Sequence, residues 1–246
     1  MKPKITVLGL TILLFTGCAE MQQMILSGQG PVTQTEVITG LKQALSVGVD
    51  QSVAQLTPVD GYLSDLALKI LLPPEAEVIT KNLAKLPGGQ QMIDRVVTSI
   101  NRAASDAAKE AAPIVLNSIK SMTIQDAFGI LKGGDFAATD YLKRSSYTAL
   151  VNLYKPKIRN SLQEKLIGNL TAQQSWDELT GKWNQIAVSP IGQLANLQAV
   201  QTDLSTYLTQ RALDGLFLKI GETEKNIREN PAARITPLLK RVFAQQ

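Results

Sequence analysis

Thr33 and Glu36 stand three residues apart, and behind them an apolar side chain returns at every fourth position: Val37, Leu41, Leu45, Val49 and Val53, with Leu56 closing the row. No other pattern in the chain narrows the fold as much. A threonine hydroxyl and a carboxylate at that separation each take the other's backbone N–H, the reciprocal arrangement that starts a helix. Apolar residues four apart drift slowly around a 3.6-residue turn, so they form one stripe that needs a partner surface. Pro58, Asp60 and Gly61 then supply turn chemistry.

Similar punctuation recurs downstream. Pro73 and Pro74, with Glu75 and Glu77 where the helix dipole favours acid, predict a second helix ending at Pro87-Gly88-Gly89. From Gln90 a long helix carries Met92, Ile93, Val96, Val97 and Ile100 into "NRAASDAAKEAAP", whose small side chains allow close helix approach. Pro113 predicts a break there, followed by a segment from Ile114 to about Ser121. Thr123 and Asp126 have capping-box spacing, with Phe128 and Leu131 expected to face inward and Gly133-Gly134 to stop the helix. Asp135 is expected to cap a helix from Phe136 to about Tyr154, and Pro156 to open another to Leu166. Thr171 caps a helix holding Trp176, Leu179 and Trp183, the two tryptophans read as core or interface rather than a sugar platform. Asp203 begins the strongest C-terminal helix, turning Leu204, Leu208, Leu213, Leu216, Phe217 and Ile220 inward. Asn230-Pro231 opens a terminal helix to Phe243. Leu66 to Leu72 alone invites a strand, and reads equally as an extended crossing. Aromatics make up 5% of the chain, so its apolar content is aliphatic. The expected fold is all-α, a single irregular domain of about eight to ten helices over residues 33–246 with short loops.

The N-terminus has a different logic. Lys2 and Lys4 precede an apolar run from Ile5 to Phe15, too short to span a bilayer and suited to a secretory signal. Leu14-Phe15-Thr16-Gly17-Cys18 resembles the lipobox of bacterial lipoproteins, with Phe15 in place of the usual Leu. That resemblance implies cleavage before Cys18, the only cysteine, and lipidation of its sulfur and new amino group. Several acyl chains anchor durably, since each buried methylene contributes about 0.8 kcal/mol. Ala19 is not the Asp that resembles an inner-membrane retention signal, which points to the periplasmic face of the outer membrane. Residues 1–17 are thus read as signal peptide, and 18–32 as lipidated Cys18 plus a tether broken by Ser27-Gly28-Gln29-Gly30-Pro31.

Losing residues 1–17 removes Lys2 and Lys4 and no acid, lowering the formal charge from +4 to +2. That charge is dispersed, whereas a nucleic-acid footprint needs a clustered basic stripe, so nucleic acid is not an expected partner. The expected contacts are the membrane, through the anchor, and an envelope protein or the cell wall.

Six stretches together resemble one family: "GLKQALSVGVDQSVAQL", "DGYL", "NRAASDAAKEAAPI", "MTIQDAFGILKGGDFAATDYL", "YKPKI" and "ALDGLFLKIGETEKNIRENPAAR". They look like the domain of unknown function numbered 4197, found in Gram-negative bacteria and usually behind a lipoprotein signal. The resemblance runs from about Val32 to Phe243. It implies a helical envelope lipoprotein and transfers no activity.

The residues themselves exclude much chemistry. With 0 histidines, Ser-His-Asp and Cys-His nucleophile systems are absent. No G-x-S-x-G elbow, Ser-x-x-Lys pair, P-loop or G-x-G-x-x-G loop occurs. Without histidine or a free thiol zinc is not expected, and no metal or cofactor is assigned. Carboxylate chemistry survives as an alternative: a peptidoglycan-active enzyme needs only one or two acids in a groove, with Glu110, Asp126, Asp214 and Glu222 as candidates. Each also has an ordinary reading as a cap or a surface charge, and no residue is assigned a catalytic role. Asp126, Asp214, Arg228, Asn230 and Arg234 are candidates for a polar groove, set against a plainer account in which Glu224 and Arg228 form an exposed i,i+4 pair. The leading expectation is a non-catalytic envelope binding or assembly module. A carrier of small apolar or lipid ligands is the second alternative.

Overall fold

The computed structural model describes residues 33–234 and 240, apart from 78, 79, 82, 83, 86, 164, 168 and 169. The signal peptide, Cys18 and the tether lie outside the described residues. The fold is all-α. Its nine α-helices among the described residues are α1 (Gln34–Leu56), α2 (Gly61–Ser64), α3 (Gly89–Ala108), α4 (Ala111–Lys120), α5 (Ile124–Lys132), α6 (Ala137–Leu162), α7 (Ala172–Ala187), α8 (Pro190–Leu194) and α9 (Leu204–Glu229). Among the described residues strand is confined to an antiparallel hairpin between α6 and α7, β1 (Lys165–Ile167) and β2 (Leu170–Thr171), in which Lys165 faces Thr171. Among the described residues no helix is long and apolar enough to cross a membrane.

Helix α9 packs against α1 on one side and α6 on the other, while α6 also covers α3 and α4. The α1 stripe is the reason: Leu41, Leu45, Val49, Val53 and Leu56 are buried, joined by Ala44, while Val37 at the head of the stripe is half-buried. From α9 come Leu204, Leu208, Leu213, Leu216, Phe217 and Ile220, every one buried as its periodicity requires. Thr33 caps α1 and Thr123 caps α5, both in reciprocal capping boxes, and Thr171 does the same for α7 with Gln174. Asp203 caps α9, its carboxylate accepting from the Thr206 N–H at 2.6 Å. Small residues set the closest approaches: a side chain at Gly215 would come within 2.9 Å of the Tyr62 ring, which nests there and donates its hydroxyl to the Ala212 carbonyl.

Several boundaries differ from those expected, each for a physical reason. The break before Pro113 falls at Lys109-Glu110, and Pro113 sits third in α4. A first-turn residue has no intrahelical partner for its N–H, so proline costs nothing there. Pro156 opens no helix either; it lies inside the continuous α6. The carbonyl it leaves unbonded belongs to Asn152, and both residues are exposed, so the lost partner falls on the solvent side of the helix. Helix α6 stops at Leu162 rather than reaching Leu166, which belongs to β1. Phe128 and Leu131 are only half-buried, the buried face of α5 being Ala127 and Ile130. After Pro73 the chain makes a 3-10 turn over Pro74–Ala76, with helical residues again at 77, 80 and 81. A second 3-10 turn, Pro231–Ala233, stands where the terminal helix was expected to begin, and residues 235–239 and 241–246 of that expected helix lie outside the described residues.

Leu66 to Leu72 is not a strand. It turns over the Asp65 carboxylate, which accepts from the Ala67 N–H at 2.9 Å, and then crosses α3 extended. The buried Asn101 amide serves as its ladder: Oδ1 accepts from the Ile70 N–H at 2.8 Å and Nδ2 donates to the Ile70 carbonyl at 2.9 Å. One side chain thereby satisfies both backbone groups of a buried crossing residue.

Candidate functional site

Of the residues expected to gather into a polar groove, only part come together. Arg228 lies in the last turns of α9, and its side chain is 11% exposed beside Glu224 at 5%, so the pair is buried rather than exposed. Arg228 Nη2 donates to Glu224 Oε1 at 2.8 Å and to the Ile130 carbonyl of α5 at 2.9 Å. Glu224 reaches across 86 positions to the start of α6, where its two oxygens accept from the N–H groups of Ala138 (2.9 Å) and Thr139 (2.8 Å) and from the Thr139 hydroxyl (2.7 Å). It therefore does the work expected of Asp135, which is exposed and makes no cap. A carboxylate at a helix start meets both unpaired N–H groups and the positive end of the dipole. Arg234 turns back and donates to the carbonyls of Ile227 (3.1 Å) and Arg228 (2.7 Å), while Asn230 Oδ1 accepts from the Ala232 N–H. This cluster is a latch: Arg228 and Arg234 donate to backbone carbonyls and Arg228 also to Glu224.

Asp126 and Asp214 stand apart from it. Asp126 caps α5, and its hydrogen bond from the Thr123 hydroxyl holds its carboxyl below the usual range. Asp214 is on the surface of α9 between Arg211 (2.9 Å) and Lys143 (3.7 Å). The other carboxylates considered for catalysis are similarly distributed, with Glu222 on Lys219 at 3.0 Å and Glu110 on Lys157 at 3.1 Å. No two of the four form a pair across a shared cleft.

The concave surface that the sequence did not single out lies between α3 and α6. A groove of about 770 Å³ is lined along α3 by Asp94, Arg95, Thr98, Ser99, Arg102 and Asp106, and along α6 by Lys157, Asn160 and Ser161. Asp94, Thr98, Arg102 and Asp106 recur every fourth residue, opposite the buried Met92, Val96, Ile100 and Ala104. A mixed-charge stripe of that kind looks like any solvated helix face in the sequence; only the packing of α6 beside it makes it concave. Its far end is fixed by ion pairs. Lys157 lies 2.7 Å from Asp106 and 3.1 Å from Glu110, and Arg102 lies 2.9 Å from Asp60. The hydrogen bond from Lys157 pulls the Asp106 carboxyl down and, reciprocally, raises the Lys157 ammonium, so both stay charged at neutral pH. Arg95, at the other end, has no partner among the described residues.

The tryptophans are structural. Trp176 is buried and donates Nε1–H to the Thr202 carbonyl at 3.2 Å, and Trp183 donates to the Gln198 carbonyl at 2.8 Å. Together they pin the segment that links α8 to α9. Among the described residues no group of three or more Asp, Glu, His or Cys side chains is placed to hold a metal.

No curated protein and no solved structure matches the chain. A family model described as "Protein of unknown function (DUF4197)" matches residues 31–244, from just ahead of α1 to well past α9. The chain belongs to that family.

Proposed function

We propose that this protein is a lipid-anchored module on the periplasmic face of the outer membrane that works by binding rather than by catalysis. The anchoring half rests on the order of features in the sequence: basic residues, a short apolar run, small residues, then Cys18. The binding half rests on one observation, the state of the acids at the α3–α6 groove. Asp106 is held ionised by Lys157 and Asp60 is tied to Arg102. A general acid for glycosidic cleavage needs the opposite, a carboxyl whose pKa is raised by a dry, apolar setting. The small, partly open space lined by Ala44, Leu45, Leu142, Ile220, Ile227 and Glu224 amounts to about 10 Å³, the scale of a single water, so an apolar cargo has no room there.

Two measurements test the two halves separately. Palmitate labelling of the expressed chain should disappear in Cys18→Ala, with the uncleaved precursor accumulating; undiminished labelling removes the anchor. Purified protein incubated with isolated cell wall should release no soluble fragments. Release that is lost on substitution of Glu110, Asp126, Asp214 or Glu222 would replace the binding reading with the enzymatic one.

A further inference from the structure

We infer that the α3–α6 groove is a binding site for a short peptide with a free carboxylate, seated with that carboxylate on Arg95. The inference rests on the binding reading above and names its ligand class.

Three features of the groove lead to it. The first is an imbalance among its cations. Arg102 is committed to Asp60, and Lys157 to Asp106 and Glu110, whereas the Arg95 guanidinium has no partner among the described residues. A guanidinium presents a planar fork of donors that fits a carboxylate through two parallel hydrogen bonds. In a concave site such a fork is a directed receptor for that group.

The second feature is the lining between the two ends. The Thr98 hydroxyl and the Asn160 carboxamide both line the groove and have no side-chain partner among the described residues. Each can donate and accept, as a peptide backbone offering alternate N–H and C=O groups requires. Asp94 takes a hydrogen bond from Gln90 on Oδ1, which leaves its other oxygen for an N–H near the Arg95 end.

The third feature is size. Arg95 and Asp106 are eleven residues apart on α3, which at 1.5 Å per residue is about 16 Å. An extended peptide advances roughly 3.3–3.6 Å per residue, so about four or five residues fit this length. The volume of about 770 Å³ agrees with a ligand of that size, lying within the roughly 300–1,000 Å³ of small-ligand sites. The far end, closed by the Asp106–Lys157–Glu110 ion pairs, offers no unpaired cation. The carboxylate therefore belongs at Arg95 and the chain runs toward Asp106.

The test uses the full chain in detergent, titrated calorimetrically with the tetrapeptide Ala-Ala-Ala-Ala, with the same peptide amidated at its C-terminus, and with glucuronate as a sugar acid. The free peptide is expected to bind, and amidation to weaken it at least about tenfold, as loss of a charge-assisted bidentate contact would. Arg95→Ala should show the same loss and Arg95→Lys an intermediate one, since lysine keeps the charge without the fork. Arg95 is exposed and its side chain makes no hydrogen bond or ion pair among the described residues, so its variants should melt with the wild type. Equal binding of acid and amide, equal binding by wild type and Arg95→Ala, or no binding of the free peptide at millimolar concentration overturns the inference. Glucuronate binding as tightly as the peptide overturns it too, reassigning the groove to sugar acids. If the cell-wall incubation releases no fragments and the tetrapeptide still fails to bind, the ligand assignment falls while the binding reading stands.

Discussion

Replacing Glu224 with Ala is expected to destabilise the protein by about 3–5 kcal/mol, the cost of stranding a buried charge by removing its partner. Three losses coincide. The Arg228 guanidinium, 11% exposed, keeps only the Ile130 carbonyl. The N–H groups of Ala138 and Thr139 lose the acceptor that caps α6. The Thr139 hydroxyl, also buried, loses its 2.7 Å bond. With total stabilities of roughly 5–15 kcal/mol usual for domains, one substitution takes a large share. Urea denaturation followed by circular dichroism measures it. The double variant Glu224→Ala/Arg228→Ala should recover part of the loss, because the stranded charge is then gone, and a cycle over the four proteins isolates the coupling. A change below about 1 kcal/mol in the single variant would mean that water replaces the carboxylate freely.

Asn101→Leu should be damaging on the same scale, at roughly 2–6 kcal/mol, because leucine keeps the volume and abandons two buried backbone groups at about 1–3 kcal/mol each. Ile70 is 2% exposed, so neither its N–H nor its carbonyl finds solvent once the carboxamide is removed. The expected signature is a lower denaturation midpoint at unchanged slope, which reports lost stability without a change in the surface exposed on unfolding. A midpoint within error of the wild type would show that the 66–72 crossing does not need its side-chain ladder.

These two residues also mark where the sequence could be read and where it could not. Helix starts written locally were legible: Thr33, Thr123, Thr171 and Asp203 each cap the helix that follows them, and the α1 and α9 stripes name their own buried faces. The start of α6 was not legible, because its cap comes from Glu224 and nothing near Phe136 announces that. For the same reason Glu224 and Arg228 looked like an ordinary exposed pair. Their spacing is that of countless surface pairs, and burial is decided by the loop ahead of α6. The prolines show a second limit. Whether proline ends a helix depends on where its missing hydrogen bond would have fallen, and at Pro113 and Pro156 it falls where no protein partner is needed. The groove shows a third. The stripe from Asp94 to Asp106 is plain in the sequence, but concavity belongs to two helices at once, so no single helix displays it.

Helix α9 has a consequence for how the chain comes into being. It is the last long element described, yet it covers both α1 and α6 and supplies the carboxylate that finishes α6. Wherever the chain folds, α1 and α6 keep the apolar faces that α9 covers open until the segment through Arg228 is in place. A chain released early, or clipped near the α8–α9 link, presents that uncovered surface to proteases instead of a shortened fold. Only a chain that includes α9 can close the core over α1 and α6.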